Sequence, residues 1–357
     1  MKRIIATGLV ALAASTAVAY AQAPGGGNNP PPPPRPYFLG NPIGVPAAPP
    51  APDAQNPAPF VPMSDNVLVY GAFRSAEACQ YDPGMDLVVV TNMGIAQNLT
   101  PNDGYLTLLN HDGTVHTPKW VGVQAANQRG EANLITPLVL NQPFGIDIVN
   151  GVIYIADSDG NLANPDPAAT GNTPTVFNVR TFDAATGEPI ATFPIPEAGG
   201  LINDVAVAAD GTIYASQTSA NENARIWKIA PDGTVSVFFA GAPLNSPNGV
   251  AMDPDGNIVV VNIGDNAVLT FSPDGTLVNT EQAAQAGNDG LVVLADGTKY
   301  ISSVREGGVS MIPAGGGEAT LIATGIPSAA SMCYDPTANA LFIPMNNNNA
   351  VARIQLD

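Results

Sequence analysis

A short unit repeats along most of this chain and leaves few folds open to it. Each copy has an apolar strand, an Asp-Gly or Asn-Gly turn and a second, β-branched strand. Asn203 to Tyr214 aligns with Asn248 to Val259 and with Asp289 to Tyr300; in each, the first residue precedes the turn Asp by seven positions. Looser copies begin at Glu77, Phe144 and Ala330. An Asp-Gly pair between apolar runs is a strong hairpin signal, because glycine accepts the positive φ of the turn. Outer hairpins follow most copies, as in Ala224 to Ile229 and Thr234 to Phe239 around Pro231-Asp232-Gly233.

Six copies of about four strands each, spaced 41 to 67 residues apart, predict an all-β chain folded as a six-bladed β-propeller. The last copy has three strands by Ile354. The segment from Val67 precedes the first copy, and it is expected to supply the missing outer strand and close the ring. Composition agrees: 36 Gly and 35 Pro among 357 residues, with 12% charged residues, exclude long helical bundles and coiled coils.

Three segments follow. Residues 1–23 read as a secretory signal peptide, with Lys2-Arg3, an apolar run from Ile4 to Val18, and A-x-A sites at Ala19 to Ala23. Residues 24–64, rich in Pro and Gly, read as a tether unable to pair as strands. Residues 65–357 form the propeller. The expected location is therefore exported, periplasmic or secreted. With 12 Lys and Arg against 30 Asp and Glu, the net charge of −18 argues against nucleic acid and anionic membranes as partners. The apolar run is also short for membrane insertion.

Innermost propeller strands line a central channel. Aligning the copies puts Glu77, Phe144, Asn203, Asn248, Asp289 and Ala330 at equivalent places near one mouth. Two carboxylates and two carboxamides make an all-oxygen donor set, which suits a hard divalent cation such as Ca²⁺ better than zinc or copper. The plainer reading is that Asn and Asp simply start strands well.

This ordered set resembles the regucalcin/gluconolactonase family, also described as the senescence-marker-protein, gluconolactonase and luciferin-regenerating-enzyme family, over about Val67 to Gln355. The resemblance implies one calcium ion held by Glu77, Asn203, Asn248 and Asp289. It implies a metal-dependent hydrolase of lactones or related esters, with Asp289 as both ligand and general base. A deeper second ion is not expected, because Val292 stands where some relatives carry an acid. The alternative is a non-catalytic propeller that binds a glycan, peptide or small molecule at the same mouth.

Phe144 is expected to form an apolar wall for a small-molecule substrate. Arg305 is the one cation expected near the mouth, and the sequence leaves open whether it orients the substrate or pairs with a neighbouring acid. Asp157-Ser158-Asp159-Gly160-Asn161 partly matches a calcium loop but lacks the distal Glu, so it reads as a solvated turn. His111 and His116 flank an outer turn and read as surface residues. Cys79 and Cys333 fall on the inner strands of blades one and six, and the sequence leaves open whether they are bonded or are two buried thiols.

Overall fold

The computed structural model describes residues 45–46, 63–94, 104–122, 140–159, 175–195 and 198–357. Residues 1–44 and 47–62, which hold the expected signal peptide and most of the expected tether, lie outside them.

Strands β1 (Val45–Pro46) and β2 (Val67–Tyr70) come first in the chain but belong to the last blade. Blade one is β3 (Ala76–Asp82), β4 (Leu87–Asn92), β5 (Tyr105–Leu109) and β6 (Val115–Val121). Blade two is β7 (Pro143–Val149), β8 (Val152–Asp159), β9 (Val176–Asp183) and β10 (Pro189–Pro194). Blade three is β11 (Leu201–Val207), β12 (Ile213–Thr218), β13 (Arg225–Ile229) and β14 (Val235–Ala240). Blade four is β15 (Pro247–Met252), β16 (Ile258–Asn262), β17 (Ala267–Phe271) and β18 (Leu277–Gln282). Blade five is β19 (Asn288–Val293), β20 (Lys299–Ser303), β21 (Val309–Ile312) and β22 (Thr320–Ala323). Blade six is β23 (Cys333–Asp335), β24 (Ala340–Met345) and β25 (Ala350–Gln355), completed by β2 and edged by β1. Every sheet is an antiparallel meander, and the whole is a six-bladed β-propeller.

Ring closure follows the sequence reading. β2 pairs with β25 in the register Val67 to Ile354 and Tyr70 to Val351. The tether reading needs one correction, because Val45 and Pro46 pair with Val69 and Leu68 on the outside of β2. β2 leaves an open edge there, and a proline without an N–H is tolerated at an edge position.

Apolar residues fill the seams between blades. Leu106 and Leu108 of blade one meet Ile146, Ile153, Ile155 and Phe182 of blade two. Ile258, Val260 and Phe271 of blade four meet Tyr214 and Ile226 of blade three. This is why β8 and β16 carry apolar runs, Val152 to Ala156 and Ile258 to Val261: both faces of each middle strand are covered there. Each such buried Leu, Ile or Phe contributes about 1.5–3 kcal/mol relative to exposure.

Blades six and one are joined by more than packing. Cys79 and Cys333 form a disulfide with Cα atoms 5.4 Å apart, so the question the sequence left open resolves in favour of the bond. At the base of the same seam His111 Nδ1 lies 2.8 Å from Asp335 Oδ2, and Arg353 Nε donates to the His111 carbonyl. His111 is thus a seam residue and not merely a surface one, whereas His116 is exposed.

Candidate functional site

One irregularity recurs in the inner strands and decides where their side chains point. In five blades the pairing of the first strand with the second slips by one residue at the same place: after Ala76, Pro143, Ile202, Pro247 and Asn288. The residues inside these β-bulges are Glu77-Ala78, Phe144-Gly145, Asn203-Asp204, Asn248-Gly249 and Asp289-Gly290. A bulge breaks the strict in-out alternation and re-aims a side chain. Here it sets the first residue of each pair at one level of the channel.

Hydroxyls stitch the bulges to one another. Thr91 Oγ1 accepts from Ala78 N (2.9 Å) and donates to the Phe144 carbonyl (2.8 Å). Ser216 joins Asp204 N to the Asn248 carbonyl in the same way, and Ser302 joins Gly290 N to the Ala330 carbonyl. Each hydroxyl is fully buried and fixes the inner strand of its own blade against that of the next. Glycine at the second bulge position permits the close approach. A Cβ on Gly290 would meet Met332 N at 2.5 Å and the Ala330 oxygen at 2.8 Å, and one on Gly145 would meet Asp204 Cα at 2.5 Å.

Glu77, Asn203, Asn248 and Asp289 are all buried at this level, between 1% and 5% exposed. Asn248 Nδ2 donates to Asp289 Oδ2 over 3.3 Å. Asn203 Oδ1, Asn248 Oδ1 and Asp289 Oδ1 are buried with no hydrogen-bond partner. Such groups cost about 1–3 kcal/mol each when left unpaired, so three together at one level of the channel call for a ligand. Burial raises the Glu77 pKa to about 7, against the opposing hydrogen bond from Asn346. Burial likewise pushes Asp289 well above the carboxylate range, reinforced by the nearby charges of Glu77 and Asp204.

Asp204 lies just beneath. Its carboxylate accepts from Val205 N (2.9 Å) and, across the seam, from Val250 N (3.0 Å). Burial lifts its pKa to about 7. Asp147 does the same one blade earlier, accepting from Gln80 Nε2 and Val207 N, both at 2.8 Å. These two acids are occupied in holding strands. Among the described residues no three His, Cys, Asp or Glu side chains gather to hold an ion by themselves, so amide oxygens must take part in any such site.

The donor set fits a hard divalent ion. It has two carboxylates, two carboxamides, no nitrogen or sulfur donor, and three buried oxygens in want of a positive partner. The acids repel one another in the bare chain, and a cation between them removes that penalty.

The remaining candidates are placed differently. Phe144 occupies the blade-two level but is only 7% exposed, packed with Ile202 and Val205 in the seam to blade three. Arg305 is exposed on the loop between β20 and β21, and makes no ion pair with a described residue. The Asp157-Ser158-Asp159 stretch is not a solvated turn. It ends β8, and Asp157 is 1% exposed with its oxygens taken by Asn141 N, Gln142 N and Arg180 Nε (2.7 Å). Arg180 also bonds Asp159 and is itself buried, a second mouth-level cation that a sequence reading centred on Arg305 misses. Asn346, in the connection that follows β24, donates from Nδ2 to Glu77 Oε2 over 2.6 Å. The loop residues 95–103 and 160–174 lie outside the described residues.

The fold and its oxygen-rich bulge ring define a six-bladed propeller with a candidate site at the hub. Residues 168–346, half of the chain, match the family model described as SMP-30/Gluconolactonase/LRE-like region. The chain belongs to that family. No curated protein matches it. Among solved structures it is similar to a protein assigned as a gluconolactonase, with 17% identity over 80% of this chain and 91% of that one, TM-score 0.53. A luciferin-regenerating enzyme aligns with 11% identity over 80% and 92%, TM-score 0.54. Virginiamycin B lyase from Staphylococcus aureus aligns with 14% identity over 82% and 99%, TM-score 0.53. At these identities the likeness is one of fold.

Proposed function

We propose that this chain is an exported, calcium-dependent hydrolase of lactones or related small-molecule esters. The observation that carries the proposal is the ring itself: Glu77, Asn203, Asn248 and Asp289 buried at one level, three of their oxygens without partners. Membership of a gluconolactonase-like family supports the reaction class. The Cys79–Cys333 disulfide, together with the signal-like first segment, supports an oxidising compartment.

A divalent ion held by these four residues supplies positive charge that keeps Glu77 and Asp289 ionised and a Lewis acid for the substrate carbonyl. Asp289, as both ligand and general base, takes the proton from the attacking water. Asn248 steadies Asp289 Oδ2 through its Nδ2. Asn203 and Asn248 contribute carbonyl oxygens that do not titrate, so only the two acids of the set respond to pH. Arg305, exposed on the loop between β20 and β21, orients the substrate's carbonyl or carboxylate.

The test is hydrolysis of simple lactones and aryl esters by the purified chain, with and without chelator, beside Asp289→Ala. Chelation is expected to abolish turnover and calcium to restore it. Asp289→Ala should lower kcat by about 10²–10⁴. Turnover indifferent to both treatments would remove the catalytic role of this ring, and specific ligand binding without turnover would establish the non-catalytic alternative.

A further inference from the structure

In blade six the residue that aligns with the ring is Ala330, which precedes β23 and carries no side-chain donor. The blade reaches the ring by another route. After β24 the chain makes a single 3₁₀ turn, Asn346–Asn348, and then places Asn349 in the left-handed conformation, with φ of 53°. Every asparagine of this run is committed. Asn349 Oδ1 accepts from Ser75 N (2.8 Å), two residues before Glu77. Asn347 Nδ2 and Asn348 Nδ2 donate to Ser328 Oγ and the Pro327 carbonyl of the connection leading to β23. The turn is therefore tied on both sides of the closure seam. Asn346 is left facing Glu77, with its Nδ2 2.6 Å from Oε2.

We propose that Asn346 is a positioning residue for the ion-binding ring, fixing the Glu77 carboxylate from the neighbouring blade so that blade six takes part without a ligand of its own. The inference rests on the reading of the ring as a divalent-ion site. A short charge-assisted hydrogen bond to a buried carboxylate suits that role, because it both orients the group and favours its ionised form. The other ligands have no comparable need: Asp289 is braced by Asn248 within the ring, and the two amides carry no charge.

Calcium titration by calorimetry, on the full chain, tests this without reference to turnover. Asn346→Ala is expected to weaken calcium binding roughly ten- to a hundredfold, while circular dichroism in chelator shows the wild-type fold, since the half-exposed turn keeps its Asn348 and Asn349 ties. Asn346→Gln, which retains a carboxamide donor, should recover part of the affinity. Should the alanine variant fold poorly, Asn346→Ser is read in its place against the glutamine variant. Wild-type-like affinity in Asn346→Ala, or no recovery in Asn346→Gln, overturns the positioning role and leaves the ring reading standing. Absence of divalent binding by the wild-type chain overturns both.

Discussion

Burial sets the chemistry of individual side chains here, and it does so unevenly. Glu77 and Asp289 are desolvated without a cation partner from the protein, whereas Asp157 is desolvated beside Arg180 and its pKa, raised to about 6 by burial, is held back by that guanidinium. The ring acids therefore want a positive charge that Asp157 already has. His111 is the opposite case. Its hydrogen bond to Asp335 raises its pKa, outweighing the desolvation that lowers it. For a histidine raised in the folded state, the stabilisation is complete below the unfolded value of about 6.5 and is lost as pH climbs through the higher folded value. His111→Gln should therefore cost stability at pH 5.5 and little at pH 8.5. The difference should be about 1 kcal/mol or less for a pair open to solvent on one side. Denaturant unfolding at the two pH values measures it, and an equal cost at both would show that the pair is held by packing alone.

The bulge is the working unit among the secondary elements. Alternation alone would send residues 77, 203, 248 and 289 to a sheet face; the slipped register turns them to the channel, and the buried hydroxyls of Thr91, Ser216 and Ser302 hold the slip in place. Gly290 must lack a side chain for blade five to lie against blade six. Gly290→Ala should destabilise the fold by about 1–3 kcal/mol, because the atoms a methyl would strike include backbone of Ala330 and Met332. Chemical denaturation checks the size. Wild-type stability would mean that the blades shift apart freely. The repeated Asp-Gly unit made the blades and the ring positions legible in the sequence, since each recurs at a fixed offset from a turn. The bulge itself was not legible, because nothing in the Asn-Gly and Asp-Gly pairs distinguishes a tight start from a slipped one.

What could not be read in advance belongs to contacts between distant parts of the chain. Asn346 and Glu77, His111 and Asp335, and Arg180 and its two acids are joined only once the ring has closed or the strands have paired. The disulfide was undecided for the same reason: it depends on how near two inner strands approach, which no local pattern states. That bond spans 254 residues, and its removal should lower stability by about 2–4 kcal/mol. Cys79→Ser with Cys333→Ser, compared with wild type by thermal unfolding, is expected to show a lower melting temperature and an unchanged fold by circular dichroism. An unchanged melting temperature would mean that β2 pairing and the seam contacts suffice. Because β2 is held by β25, blade six is complete only when strands far apart in the chain have met. Glu77 is made early, yet its contact with Asn346 lies 269 residues further along the chain, so the hub is completed only once blade six exists.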